Sequence, residues 1–320
     1  LGDLLTRRID DPAVVSAGFS APYPTFIQDW GSQATLARAL RRFPQYNGLR
    51  FYNPTVGDSS YHSLQVKVDK RFSAGLQFLA TYTFAKHLTN ADAANRNDST
   101  NYQNDYALGL EKSVSGSDRP HVFNLSYIYE LPFGRGKRFM GSAPGVVNAL
   151  LGGWQLSGAH RYASGVPLSP SARCPSLEFV NASARCRPDY TGVPELYGPG
   201  KDDIDPSSSA PYVNPAAFTV PAPYTFGNVE RNVSRLRTMP SLNENVGLFK
   251  NFDFGERARF QFRAEAFNVL NRVIFSAPDM FVGTYNASQP GNIERNPRFG
   301  FFVGQSNTPR VLQLGAKIIF

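Results

Sequence analysis

Histidine is the first residue type to test for chemistry, since a neutral imidazole serves both as a general base near pH 7 and as a metal ligand. His62, His87, His121 and His160 show no His-x-x-x-His or Cys/His spacing, which argues against a metal site. His62 and His160 fall near the ends of alternating segments, where a wet imidazole is expected. Asp202, Asp203 and Asp205 follow Lys201 and could offer oxygen ligands to Ca²⁺. The spaced glycine and distal glutamate of a calcium loop are missing, so a solvated acidic turn is the reading. Glu265 shares one side of an alternating segment with Arg259 and Arg263. Acid–base catalysis would need a second, poised carboxylate, and cross-strand ion pairing accounts for the group without one. Gly134-Arg135-Gly136 begins a dinucleotide fingerprint, but Phe139 stands where the third glycine belongs. Gly304-Gln305-Ser306-Asn307-Thr308 lacks the last glycine of a nucleophile elbow. These residues predict no enzyme, no cofactor and no metal.

Cys174 and Cys186 lie in a segment rich in Pro, Ser and Ala, without metal-ligand spacing. A local disulfide formed in an oxidising compartment is the natural reading, with two unrelated thiols as the alternative. The chain opens LGDLLTRRIDDP with no initiator Met or signal peptide, which reads as a start removed or as a fragment.

The elements that would carry these residues are β-strands. Of 320 residues, Gly and Pro supply 27 and 24, aromatics make up 13% and charged residues only 18%. Many turn formers, many aromatics and few charges favour an all-β chain over a helical bundle or disorder. The most apolar stretch, Val146 to Trp154, is far shorter than the ~18 residues of a membrane helix. A membrane β-barrel stays open, because its strands alternate and average out in hydropathy. The net charge of +8 points to nucleic acid or to an anionic membrane surface. The densest basic group is only Arg135, Lys137 and Arg138, so no nucleic-acid partner is expected.

Seven segments alternate with period two over about the 9–11 residues of a tilted membrane strand. They are 61–70, 76–84, 121–131, 154–162, 242–252, 257–270 and 310–320. Leu64, Val66, Val68, Phe78, Phe260, Phe262, Leu312, Leu314 and Ile318 fall on apolar sides. Lys67, Asp69, Arg161, Arg259, Arg263, Glu265 and Lys317 fall on polar sides. Tyr82, Phe84, Tyr127, Tyr129, Trp154, Tyr162 and Phe320 cluster near strand ends, as interfacial girdles require. The connections alternate in length. Those at 86–120, 163–240 and 271–309 are long, as is the stretch before residue 61. Those at 71–75 and 253–256 are short, and 132–153 is intermediate, with room for a short helix near Val146–Leu151. Soluble sandwiches use short loops throughout, whereas membrane barrels pair short periplasmic turns with long extracellular loops.

The closing strand PRVLQLGAKIIF resembles the C-terminal assembly signal of outer-membrane barrels, with Leu312, Leu314, Ala316, Ile318 and Phe320 at every second position. The segments SSYHSLQVKVDKRFSAGLQFLATYTFAKHL, DRPHVFNLSYIYELPFGRGKRF, GGWQLSGAHRYASGVPL and LFKNFDFGERARFQFRAEAFNVLNRVIF are similar to the Oar-like branch of TonB-dependent receptors. The resemblance implies a 22-stranded barrel enclosing an N-terminal plug, driven by the TonB complex, which admits siderophores, cobalamin, glycans or peptides. This sequence departs from that pattern: it holds about seven strands and neither plug nor energy-coupling box. It reads as the C-terminal third of such a receptor, an antiparallel transmembrane β-barrel fragment that would transport nothing alone, since seven strands leave two unpaired edges in lipid.

The expected arrangement follows. Residues 1–60 form an extracellular loop region leading into barrel strands at 61–320, in the outer membrane of a Gram-negative bacterium. The apolar sides face outer-membrane lipid, and the seven charged residues face the lumen, the plug or passing solute. The partners are that lipid, the plug of the full-length chain, the TonB complex through the missing N-terminal region, the barrel-assembly machinery and an unknown extracellular ligand. The 163–240 loop with its Cys174–Cys186 clasp is the candidate for ligand capture, with shielding of the barrel mouth as the alternative. The rival function is surface adhesion by a β-barrel without TonB coupling.

Overall fold

Strict alternation satisfies a strand only if neighbouring strands keep their register, because a slip of one residue turns every side chain to the other face. The computed structural model describes residues 2–47, 56–92, 102–104, 107–177, 185–196, 211–254, 258–286 and 293–319. Seven long strands form one antiparallel sheet: β1 (Ser59–Ser73), β2 (Leu76–Thr89), β3 (His121–Glu130), β4 (Trp154–Ala163), β5 (Ser241–Phe254), β6 (Ala258–Phe267) and β7 (Val311–Ile319). Each pairs with the next in the chain, so the sheet is a meander with β1 and β7 at its edges. The barrel is not closed.

The register carries the sequence pattern across the sheet. One row runs Val66, Tyr82, Phe123, Tyr162 and Leu242 through five strands. The adjacent row runs Lys67, Thr81, Asn124, Arg161 and Asn243. Gly247, Glu265 and Gln313 continue the polar parity to the far edge, as do Asn251, Gln261 and Lys317. The pairing therefore puts Lys67, Asp69, Arg161, Arg259, Arg263, Glu265 and Lys317 on one face of the sheet. Leu312, Leu314, Ala316 and Ile318 share the opposite face, and Phe320 lies outside the described residues.

Several boundaries differ from the sequence reading: β1 runs on to Ser73 and β5 to Phe254, through residues read as turns, and β6 ends at Phe267 rather than 270. β2 continues to Thr89 rather than ending at 84, because Lys86 and His87 break the alternation while still pairing with His62 and Tyr61. β1 begins at Ser59, and residues 2–47 ahead of it are not a plain loop. They fold into short helices, Pro12–Ser16, Phe26–Trp30 and Leu36–Ala39, around buried Ile9, Val14, Phe26, Ala34 and Leu36. Asp11 and Thr35 cap two of these helices by accepting from the backbone N–H of Ala13 and Arg38. With four or five residues each, they span too little chain to show a helical period.

Among the described residues, neither buried core lies on the apolar face of the sheet. Leu64 is 61% exposed, and Leu312 and Leu314 are each 72% exposed, in line with neighbouring apolar rows. So large an uncovered apolar face needs a nonaqueous partner. No described helix is long and apolar enough to cross a membrane.

The connections sort by end. At one end of the sheet, the turn after β1 and the 131–153 segment join neighbouring strands, as does the junction between β5 and β6. At the other end lie the connections 90–120, 164–240 and 268–310, and these are not structureless. Ser171–Arg173 pairs parallel with Phe281–Tyr285 and antiparallel with Arg185–Cys186. Pro167–Leu168 pairs with Val233–Arg237, and Phe281–Tyr285 with Ile293–Arg295. A core that includes Leu168, Val213, Phe218, Val233, Leu236 and Phe299 unites the second and third connections into one folded cap. The N-terminal unit meets this cap at Gly2. A Cβ there would come within 2.5 Å of the Tyr224 ring, so glycine permits the close approach.

Candidate functional site

The polar face and the cap are the two places where functional groups gather. The polar face is concave: a cavity of about 500 Å³ touches five successive strands, lined by Gln77, Ser126, Ser157, Asn245 and Glu265 among others. A single cavity in contact with β2 through β6 requires the sheet to curve around it. Its side chains form a loose polar network. Arg161 donates to Asn124 Oδ1 at 3.4 Å, Asn124 to Thr81 Oγ1 at 3.2 Å, and Gln261 to Asn251 Oδ1 at 2.9 Å. Lys67 and Asp69 approach to 4.0 Å in an exposed ion pair.

Glu265 departs from the sequence reading. It forms no ion pair with Arg263 or Arg259. Arg263 instead donates to Gln261 Oε1 at 2.6 Å and lies 5.5 Å from the centre of the Phe249 ring. Successive residues on one face of a strand stand about 7 Å apart, and the Arg263 guanidinium is drawn toward Gln261 and away from Glu265. Among the described residues no ion pair reaches Glu265, which lines the concavity.

Besides Lys70 and Lys86 on β1 and β2, the apolar face holds two buried charges that the alternation did not reveal. Glu244, near the cap end of β5, is 2% exposed and is clasped by Arg272 Nε at 2.8 and 3.1 Å from its two oxygens. Lys250, near the opposite end, is buried and donates to the Gly152 carbonyl, with the Trp154 and Phe252 rings beside it. Charges at the ends of a lipid-facing strand are tolerated when each is neutralised or reaches a polar group. Of the histidines, His87 contacts Ser59 Oγ and His121 contacts Tyr82 OH, each at 2.8 Å, while His160 stacks on Tyr127 with its Nδ1 buried and without a hydrogen-bond partner, not wet as expected.

In the cap, Cys174 and Cys186 are joined by a disulfide, with both residues buried and their Cα atoms 5.9 Å apart. The bond staples the hairpin of Ser171–Arg173 and Arg185–Cys186. Three carboxylates on the 90–120 side then meet three arginines of the 164–240 connection. Asp118 pairs with Arg237 at 2.7 Å, Glu111 with Arg187 at 3.1 Å, and Asp92 with Arg231 at 3.3 Å. Asp118 and Glu111 are almost wholly buried. Asp118 Oδ1 also accepts from the His87 N–H at the end of β2, which fastens the seam to the sheet.

A second cavity of about 230 Å³ opens on this seam, walled by Gln103, Glu111, Ser169, Ser171, Arg187 and Arg231 among others. Arg187 Nε and Arg231 Nε and Nη1 are buried without a hydrogen-bond partner. Burial pulls the Arg187 guanidinium below its ordinary value, against the opposing pull of Glu111, and the neighbouring charge of Arg231 adds to the lowering. The site can thus offer unspent N–H donors to an oxygen-rich group. Elsewhere on the cap, burial and a 2.8 Å hydrogen bond to Glu230 push the Tyr190 phenol above its ordinary value. Asp202, Asp203 and Asp205 lie outside the described residues. Among the described residues no group of three acidic, Cys or His side chains is placed to hold a metal ion.

A meander of long antiparallel strands, apolar and uncovered on one face, polar and concave on the other, defines a membrane β-barrel protein. An outer membrane beta barrel domain model matches residues 11–313, and the chain belongs to that family. It is accordingly a protein of the outer membrane of a Gram-negative bacterium, with its apolar face in contact with outer-membrane lipid. Searches of curated proteins and of solved structures return no significant match.

Proposed function

We propose that the chain forms the C-terminal strands of a TonB-dependent, Oar-like receptor that takes up a scarce or bulky solute. In this reading the cap is extracellular, the short turns are periplasmic, and the concave polar face lines the path beside the plug. Lys67, Asp69, Arg161, Arg259, Arg263, Glu265 and Lys317 meet the plug or passing solute. The protein is a transporter, not an enzyme, and its assembly machinery reads the last strand. The observation that carries the reading is the cap. The long connections share a buried core, a disulfide and three buried or half-buried ion pairs, which is more order than shielding a barrel mouth requires. Its seam cavity, with free guanidinium N–H groups, suits the oxygen atoms of a captured solute. The resemblance of the strand segments to Oar-like receptors supports the coupling to TonB.

The test is accumulation of solutes from growth medium by cells producing the complete polypeptide, with and without a protonophore. Protonophore-sensitive accumulation that is lost when residues 169–235 are replaced by a short linker is the expected result. Accumulation indifferent to the protonophore removes the TonB coupling. Surface adhesion without uptake favours the adhesin.

A further inference from the structure

The segment between β3 and β4, residues 131–153, is built more elaborately than a turn needs to be. Phe133 and Phe139 pack ring against ring at 5.7 Å, and the Arg135 N–H donates to Asn148 Oδ1 at 2.6 Å. A Cβ on Gly134 would lie 2.6 Å from the Gly152 Cα, so the basic turn is pressed against the end of the Gly145–Leu151 helix. Two bonds then fix that helix to one face of the sheet. Trp154 Nε1 donates to the Leu150 carbonyl at 2.9 Å, and Lys250 Nζ donates to the Gly152 carbonyl. Trp154 and Lys250 are register partners on the apolar face, so the helix sits on the lipid side of the sheet.

What the segment presents outward is apolar and basic. Val146 and Leu150, one helical turn apart, are 74% and 66% exposed, and Leu151, Phe133, Phe139 and Met140 are also exposed. Arg135, Lys137 and Arg138 are exposed beside them, and residues 131–153 contain no carboxylate. Among the described residues only Lys137 of these three has an acidic partner, Glu130 at 2.8 Å. An apolar helix face beside a basic cluster, continuous with a lipid-facing sheet, has the composition of an element that lies in a headgroup boundary.

We propose that residues 131–153 anchor the protein in a phospholipid leaflet, with Val146, Leu150 and Leu151 among the upper acyl carbons and Arg135, Lys137 and Arg138 at lipid phosphates. Assigning this to the periplasmic leaflet rests on the orientation proposed above; the anchoring itself does not.

The experiment places an environment-sensitive fluorophore on Leu150→Cys, and separately on Val146→Cys, in the complete polypeptide folded into phosphatidylcholine vesicles with and without phosphatidylglycerol. Labels at Leu314→Cys, on the lipid face, and at Ser234→Cys, on the cap, serve as references. Iodide quenching at position 150 should fall to about half or less of that at 234, with strong quenching by a shallow acyl-chain spin label. Replacing Arg135, Lys137 and Arg138 by Gln should reduce protection in anionic vesicles, by roughly up to fivefold per charge removed. Full iodide access at 146 and 150, with Leu314→Cys quenched by lipid, overturns the anchor. Protection that persists in detergent without phospholipid assigns the surface to protein and overturns it as well. Lack of lipid quenching at Leu314→Cys instead refutes the lipid face on which the anchor depends. An unchanged triple variant removes the phosphate contacts. In whole cells, labelling of Leu150→Cys by an impermeant maleimide would reverse the orientation and leave the anchor standing.

Discussion

Arg237 and Asp118 meet at 2.7 Å across 119 residues of sequence, with the carboxylate 2% exposed. The guanidinium also donates to the Asp118 and Gly165 carbonyls, so one side chain ties the first long connection to the second and both to the sheet. Removing one partner of such a pair strands the other charge away from water. Arg237→Ala should cost about 3–5 kcal/mol. Arg235 makes exposed pairs with Glu195 and Glu230, and Arg235→Ala should cost no more than about 1 kcal/mol. Limited proteolysis of the cap across a urea series separates the two. Equal effects would show that the Arg237 pair does not hold the seam.

What the sequence conveyed and what it withheld divide along the same line. The seven long strands were legible because a period of two is a local signal, and each strand repeats it four or five times. Their polar and apolar faces followed from the same signal once the register was fixed. The cap was not legible. Its strands are two to five residues long, and the three ion pairs of its seam join residues 76 to 139 positions apart, so no window of sequence contains both halves. Glu244 and Lys250 were missed for the same reason, since Arg272 and Gly152 lie 28 and 98 residues from them. The disulfide was legible as a pair of cysteines, but the core around it was not.

The two faces of β7 should respond oppositely to charge. Leu314 sits on the apolar face opposite Ala264, and Gln313 on the polar face opposite Glu265. Leu314→Lys should destabilise folding into vesicles by about 2–4 kcal/mol, and Gln313→Lys by less than about 1 kcal/mol. Urea titration of the complete polypeptide folded into vesicles reads both values. The reverse order would exchange the faces.

Asp58 stands just before β1, and Lys112 of the first long connection lies 2.7 Å from it. The hydrogen bond and charge of Lys112 hold the Asp58 carboxyl below its ordinary value of 3.8. A depressed folded value means the contact contributes above the unfolded value and is lost as pH falls through the folded one. The tether should therefore survive down to pH 3.8 and release only below it. A carboxyl titration followed by NMR should show a midpoint under 3.8 that returns to the ordinary value in Lys112→Ala. A midpoint unmoved by that substitution would exclude the tether.

The disulfide should matter to the cap and little to the sheet. Cys174 and Cys186 are separated by 12 residues, both are buried, and the strands they join contribute to the cap core. Closing a loop of that order restricts the unfolded cap by about 3 kcal/mol. The double variant Cys174→Ala and Cys186→Ala should lose about that much cap stability, seen as protease cleavage between residues 164 and 240 at lower urea. The strand signal in far-ultraviolet circular dichroism should persist, because none of the seven sheet strands passes through the loop that the bond closes. Joint loss of cap and sheet would mean that the two fold as one cooperative unit. The seam ion pairs would then be the contacts that couple them, and Arg237→Ala should reproduce the joint loss.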